Sequence, residues 1–113
     1  MTIIYHMADA EEWKAAQQAG GYYGTANDKA DGFIHFSTAD TVVESAARHR
    51  AGIGNLLLIS VDADVLGDGL KWEAARGGIL FPHLYGPLDP ASVKDAVNLP
   101  LGPDNRHIFP ELE

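Results

Sequence analysis

Five histidines, at positions 6, 35, 49, 83 and 107, are the side chains whose unperturbed proton affinity lies near neutrality. With no cysteine in the chain, proton transfer and nucleophilic chemistry fall to histidines, carboxylates and hydroxyls. His35 is set apart by Ser37, two residues on within Gly32-Phe33-Ile34-His35-Phe36-Ser37. At strand spacing the two side chains look the same way. His83 lies in Phe81-Pro82-His83-Leu84-Tyr85-Gly86-Pro87, where prolines stiffen the backbone and His83 and Tyr85 share a face. That segment reads either as a rigid bend aiming both rings or as protection of a sheet edge. His6 sits mid-strand among apolar neighbours, as a site group or as a core histidine with one partner. Glu73 is a candidate carboxylate, or a solvated surface acid.

His49, between Arg48 and Arg50, and His107, beside Arg106 in a proline-rich tail, read as structural. His6, His35 and His83 are as many imidazoles as a catalytic zinc site uses, yet no H-x-H, H-E-x-x-H or cysteine pattern accompanies them. No metal site is therefore expected. A Ser-His nucleophile pair is disfavoured, because no G-x-S-x-G elbow surrounds Ser37.

The elements that position these groups follow from hydropathy period. Residues 3–8 read as a strand buried on both faces. Asp9 and Glu12 then form an acidic capping-box variant that opens a helix over Ala10–Ala19, stopped by Gly20-Gly21. Residues 22–30, with two tyrosines and turn formers, read as a surface loop and a possible lid. The strand over residues 32–37 runs through Ser37 and Thr38 into a helix ended by Gly52. At that junction free backbone N–H groups could hold an anion. Residues 55–61 form a central strand, residues 70–75 and 79–81 a hairpin about Gly77-Gly78, residues 83–85 a bent edge segment, and residues 93–99 a last strand. Two main helices and five or six strands, without strict alternation, predict one α+β domain with a mixed or split sheet.

Length and composition agree. A chain of 113 residues with 46% hydrophobic and 21% charged residues fits one folded domain. Sixteen acidic against eight basic residues give a net charge of -8, which repels a phosphate backbone, so no nucleic-acid partner is expected. Apolar runs are too short for a membrane span, and a cytoplasmic location is the expectation. The predicted site is a polar cleft with His35, His83 and Glu73 in catalytic roles. His6, Ser37, Thr38, Tyr22 and Tyr85 would bind the ligand, a tyrosine stacking on a flat ring. The alternative is a non-catalytic module that binds a small ligand or docks a partner.

Ile4-Tyr5-His6, Gly32-Phe33-Ile34-His35-Phe36-Ser37-Thr38, Lys71-Trp72-Glu73 and Phe81-Pro82-His83-Leu84-Tyr85-Gly86-Pro87-Leu88 together resemble the bacterial family catalogued as domain of unknown function 952. The resemblance spans nearly the whole chain. It implies a fold similar to that of ADP-ribosyltransferase-like proteins, which bind NAD against split sheets, with NAD as substrate and no resident cofactor. It further implies that His6 is the first-strand polar group and that His35, with Ser37, holds a ribose. His83 would stand where many transferases of that fold carry a glutamate. A neutral histidine supplies no fixed negative charge for an oxocarbenium-like centre. A small nucleotide or phosphate-bearing metabolite is therefore the expected ligand, ahead of protein ADP-ribosylation. RNA 2′-phosphotransferases of the same broad fold use histidines more heavily, but the net charge argues against RNA.

Overall fold

The computed structural model describes residues 2–113. In chain order its elements are β1 (Ile3–Asp9), α1 (Ala10–Ala19), α2 (Ala26–Asp31), β2 (Ile34–His35), β3 (Ser37–Thr38), α3 (Val42–His49), β4 (Leu56–Asp62), β5 (Leu70–Ala74), β6 (Leu80–Leu84) and β7 (Asp95–Leu99), with short 3-10 turns between them. The strands form two antiparallel sheets, ordered β3-β1-β4-β7 and β2-β6-β5. The fold is α+β with a split sheet, as the sequence predicts. The count reaches seven strands because one expected strand is cut in two.

β1 is buried on both faces, and alternation sends its side chains into two cores. Ile4 and Ala8 meet Trp13 and Ala16 of α1, Ile59 and Val61 of β4, and Ile34 and Leu84 of the second sheet. Ile3, Tyr5 and Met7 meet Val42 and Ala46 of α3, with Phe109 and Leu112 of the tail packed against them. Fully burying an aliphatic side chain of this kind contributes about 1.5–3 kcal/mol, so both faces of the first sheet add to stability. α1 starts where expected, because the Asp9 carboxylate accepts from the N–H groups of Glu11 and Glu12. It stops at Gly20, whose φ of 82° suits a residue without Cβ.

The expected strand over residues 32–37 breaks at Phe36. The Phe36 N–H donates to the Pro82 carbonyl at 3.0 Å, but proline has no N–H to return the bond. The ladder ends there and the chain crosses to the first sheet, where Ser37 pairs with Tyr5. The same bond corrects the reading of residues 83–85 as a bent edge. β6 runs through Pro82 and is the central strand of its sheet, with β2 and β5 on either side. Its missing donor is tolerated because it falls where β2 leaves.

Two further expectations change. The loop over residues 22–30 contains α2, opened by a capping box in which the Asp28 N–H donates to Thr25 Oγ1 and the Thr25 N–H to Asp28 Oδ2. Nor does the chain enter a helix through Ser37 and Thr38. α3 begins at Val42, and the Thr38 N–H is taken by Thr41 Oγ1 at 3.0 Å. The anion-binding helix start proposed beside Ser37 is therefore not formed. Among the described residues no helix is long and apolar enough to cross a membrane.

Candidate functional site

The two sheets and α3 leave a cleft of about 720 Å³ between them, within the size range of small-ligand sites. His6 reaches its wall from β1, His35 from β2, Ser37 from β3 and His83 from β6. The cross-strand register that pairs His35 with His83 sets their rings 5.4 Å apart, edge to face. Phe33, two residues before His35, stacks on His83 at 4.2 Å.

Behind the imidazoles stands a group the sequence reading passed over. Asp28 is buried, 3% exposed. Its Oδ1 accepts from His35 Nδ1 at 2.6 Å and from the His35 N–H at 3.3 Å. Burial works to raise its pKa, but hydrogen bonds from His35 and the neighbouring His6 hold it below the ordinary carboxylate range. In return Asp28 raises the proton affinity of His35 above 6.5. His35 Nε2 lies 3.2 Å from Asp31 Oδ2, so both ring nitrogens face carboxylates and the ring is held as a proton donor.

His6 has the opposite character. Its Nδ1 lies 2.7 Å from the His35 carbonyl, which can only accept, so Nδ1 carries the proton. Nε2 then accepts from the Tyr22 hydroxyl at 2.7 Å. Burial lowers its proton affinity below 6.5, against the pull of Asp28. Tyr22, 2% exposed, is locked by this bond and by backbone bonds to Leu88, and burial raises its pKa above the ordinary tyrosine value. Tyr22 is thus no platform for a flat ring, and it takes no part in a lid.

Glu73 and Tyr85 stand at the outer rim of the second sheet, away from the cleft lining. Glu73 Oε1 accepts from the Tyr85 hydroxyl at 2.7 Å and from His83 Nδ1 at 2.8 Å. Those two bonds, Tyr85's first, hold the carboxyl below its ordinary range. The same bond to Glu73 raises Tyr85's pKa. Tyr85 is 43% exposed and 5.2 Å from Phe33, which leaves it open to stack on a ligand. Thr38 is bonded to Thr41 and lies outside the lining. His107 holds the Ile53 carbonyl at 2.7 Å, the structural role expected of it.

The lining also includes Ser45, His49, Arg50 and Arg76, none of which the sequence reading selected. Arg76 occupies the Gly77-Gly78 hairpin tip, whose glycines adopt φ of 66° and 78°. Those glycines were read only as a turn, and the residue they deliver was overlooked. Among the described residues no group of three or more His, Asp or Glu side chains is arranged to hold a metal ion.

Packing around Asp28 is tight. A Cβ added at Gly24, whose φ is +93°, would meet the Asp28 side chain at 2.6 Å. Gly24→Ala is expected to lower stability by about 1–3 kcal/mol through overpacking and to broaden the His35 ring signals in NMR spectra. A melting temperature within a degree of the parent would contradict it.

Comparison with known proteins places this arrangement. Residues 7–96 match the family described as Protein of unknown function (DUF952). The chain belongs to the DUF952 family. It is similar to the crystal structure of protein CC0527 from Caulobacter crescentus, at 45% identity and a TM-score of 0.92, over 95% of this chain and 94% of that one. The solution NMR structure of CC0527 gives 46% identity and a TM-score of 0.83, over 94% and 91%. No curated protein matches the chain.

Proposed function

We propose that the cleft binds a small phosphorylated nucleotide, NAD or a relative of it, and that His35 donates a proton to the bound ligand through Nε2, which exchanges the exposed Asp31 carboxylate for it. The observation that carries this reading is the convergence of His6, His35 and His83 on one cavity, with Asp28 2.6 Å behind His35. A histidine whose proton affinity is raised by a buried carboxylate is suited to protonating a leaving oxygen. His83, with Nδ1 committed to Glu73, turns Nε2 to the ligand as an acceptor.

An ADP-ribosyltransferase-like chemistry draws support from the same rim. A histidine at position 83 supplies no fixed negative charge, yet Glu73 puts a carboxylate oxygen 2.8 Å from His83. An oxocarbenium-like centre held over that pair would be stabilised electrostatically. Phe33 and Tyr85 lie outside the cleft lining, so a flat base stacked on them would reach from the cleft past His83 onto the rim.

Calorimetric titration with NAD, ADP-ribose and nucleoside phosphates tests the reading, with binding expected at micromolar to millimolar ligand. Silence from all of them overturns it. The replacements His35→Ala and His83→Ala made together are expected to abolish turnover and leave binding weakened but measurable. Binding by the parent without any turnover of these ligands would instead favour a non-catalytic module.

A further inference from the structure

We propose that Arg50, Arg76 and Ser45 form a phosphoryl subsite for a terminal, dianionic phosphate monoester, a group that a mononucleotide carries and NAD itself lacks. The proposal deepens the reading of the cleft as a nucleotide site and rests on it for the rest of the ligand. The chain carries a net charge of -8 and only eight lysines and arginines, yet two of these line one cavity. They arrive from separate elements, Arg50 from the end of α3 and Arg76 from the tip of the β5–β6 hairpin.

Each guanidinium is held in place by groups that leave donors to spare. Arg50 Nη2 donates to the Met7 carbonyl at 3.1 Å, and Arg50 has no ion pair of its own among the described residues. Arg76 lies over the Phe81 ring at 5.2 Å and its Nη2 donates to Ser45 Oγ at 3.4 Å. Its one carboxylate neighbour, Glu44, is 4.0 Å away and bonded more closely to Arg48. Ser45 Oγ accepts from Ser37 Oγ at 3.2 Å, which leaves the Ser45 proton available to a ligand oxygen.

His49 shares the field, since burial and then Arg76, Arg48 and Arg50 depress its proton affinity. The acidic groups of the lining are already engaged or offset: Asp9 caps α1 and Asp28 is balanced by His35. Glu12, the remaining acid, lies in the first turn of α1. Two guanidiniums and a hydroxyl match a phosphate monoester, whose charge and bidentate geometry arginine recognises. Both guanidiniums act on the same His49 ring, and a bound dianion would offset the positive field they share.

The test compares adenosine, AMP and inorganic phosphate by calorimetry at fixed ionic strength, with the parent, Arg50→Gln and Arg76→Gln. AMP is expected to bind at least tenfold more tightly than adenosine. Arg76→Gln, at a partly exposed hairpin tip and checked for folding by circular dichroism, should erase most of that preference while leaving adenosine unchanged. Arg76→Lys should restore part of it. AMP binding should also raise the pH midpoint of the His49 ring signals in NMR titration. Equal affinity for AMP and adenosine would overturn the subsite and leave the cleft reading standing. Phosphate binding that depends on both arginines, without binding of any nucleotide, would uphold the subsite and overturn the nucleotide reading. Phosphate or AMP binding insensitive to both arginine replacements, or no binding at all, would overturn the subsite.

Discussion

Asp28→Ala should cost about 2–4 kcal/mol of folding stability, since it leaves several donors of a part-buried site unpaired at about 1–3 kcal/mol each before solvent offsets part of the loss at His35. Several losses coincide at this side chain. The Thr25 N–H loses its acceptor at 2.9 Å, and α2 loses half of its capping box. The His35 N–H and ring Nδ1–H lose theirs. His6 Nε2, 3.8 Å from Oδ2, loses the charge that offsets part of its burial. Asp28→Asn should fall between, at about 1–3 kcal/mol. Its amide offers one acceptor oxygen, so its nitrogen must face either the Thr25 N–H or the His35 donors. Urea unfolding measures both, and a loss below about 1 kcal/mol for Asp28→Ala would contradict the coupling claimed here. The double variant with His35→Ala should be less unstable than the sum of the singles, because the two share one interaction.

Acid is expected to weaken the fold through His6, and alkali through His35. The folded His6 ring has a proton affinity below the ordinary 6.5, burial being the main cause. The unfolded chain therefore takes up a proton that the folded chain refuses. Its contribution is full above pH 6.5 and is lost as pH falls from there through the depressed value. His35 has the opposite sign. Asp28 raises its proton affinity above 6.5, so its contribution is full below that pH and is lost as pH rises through the raised value. Every tenfold change in proton affinity is worth about 1.4 kcal/mol. Stability should thus peak near pH 6.5. Denaturant melts between about pH 5 and 9 read both limbs and stay above the range where Asp28 itself titrates. His6→Gln should reduce the acid limb, leaving the smaller part that the more exposed His49 contributes, and His35→Gln should reduce the alkaline limb. Stability that climbs as pH drops from 6.5 towards 5 would refute the assignment of His6.

The parts of this site legible in the sequence are those set by local period. Alternation in residues 32–37 and 81–85 is enough to align His35 with Ser37 and His83 with Tyr85, and the burial of Ile34 and Phe36 on the other face agrees. Pairing between distant strands is not local, so the 5.4 Å meeting of His35 and His83 leaves no trace in the sequence period. Asp28 was recoverable. Thr25-x-x-Asp28 satisfies the capping pattern already applied at Asp9, but the neighbouring tyrosines and glycines drew the segment into a loop. Arg50 and Arg76 carried no such signal. Their convergence depends on how the hairpin folds over α3, and a lone arginine beside two glycines looks like any turn. Tyr22 misled for a related reason, since a tyrosine in a polar stretch gives no hint that its hydroxyl will be claimed by a buried imidazole.

Phe36 alone separates β2 from β3, which fixes chain length at that point to the residue. Since successive side chains alternate, adding or deleting one residue there would swing either the His35 imidazole or the Ser37 hydroxyl to the wrong side. The acidic turns between β4 and β5 are under no such constraint. An insertion between β4 and β5 should therefore leave the site intact, while one at Phe36 should not.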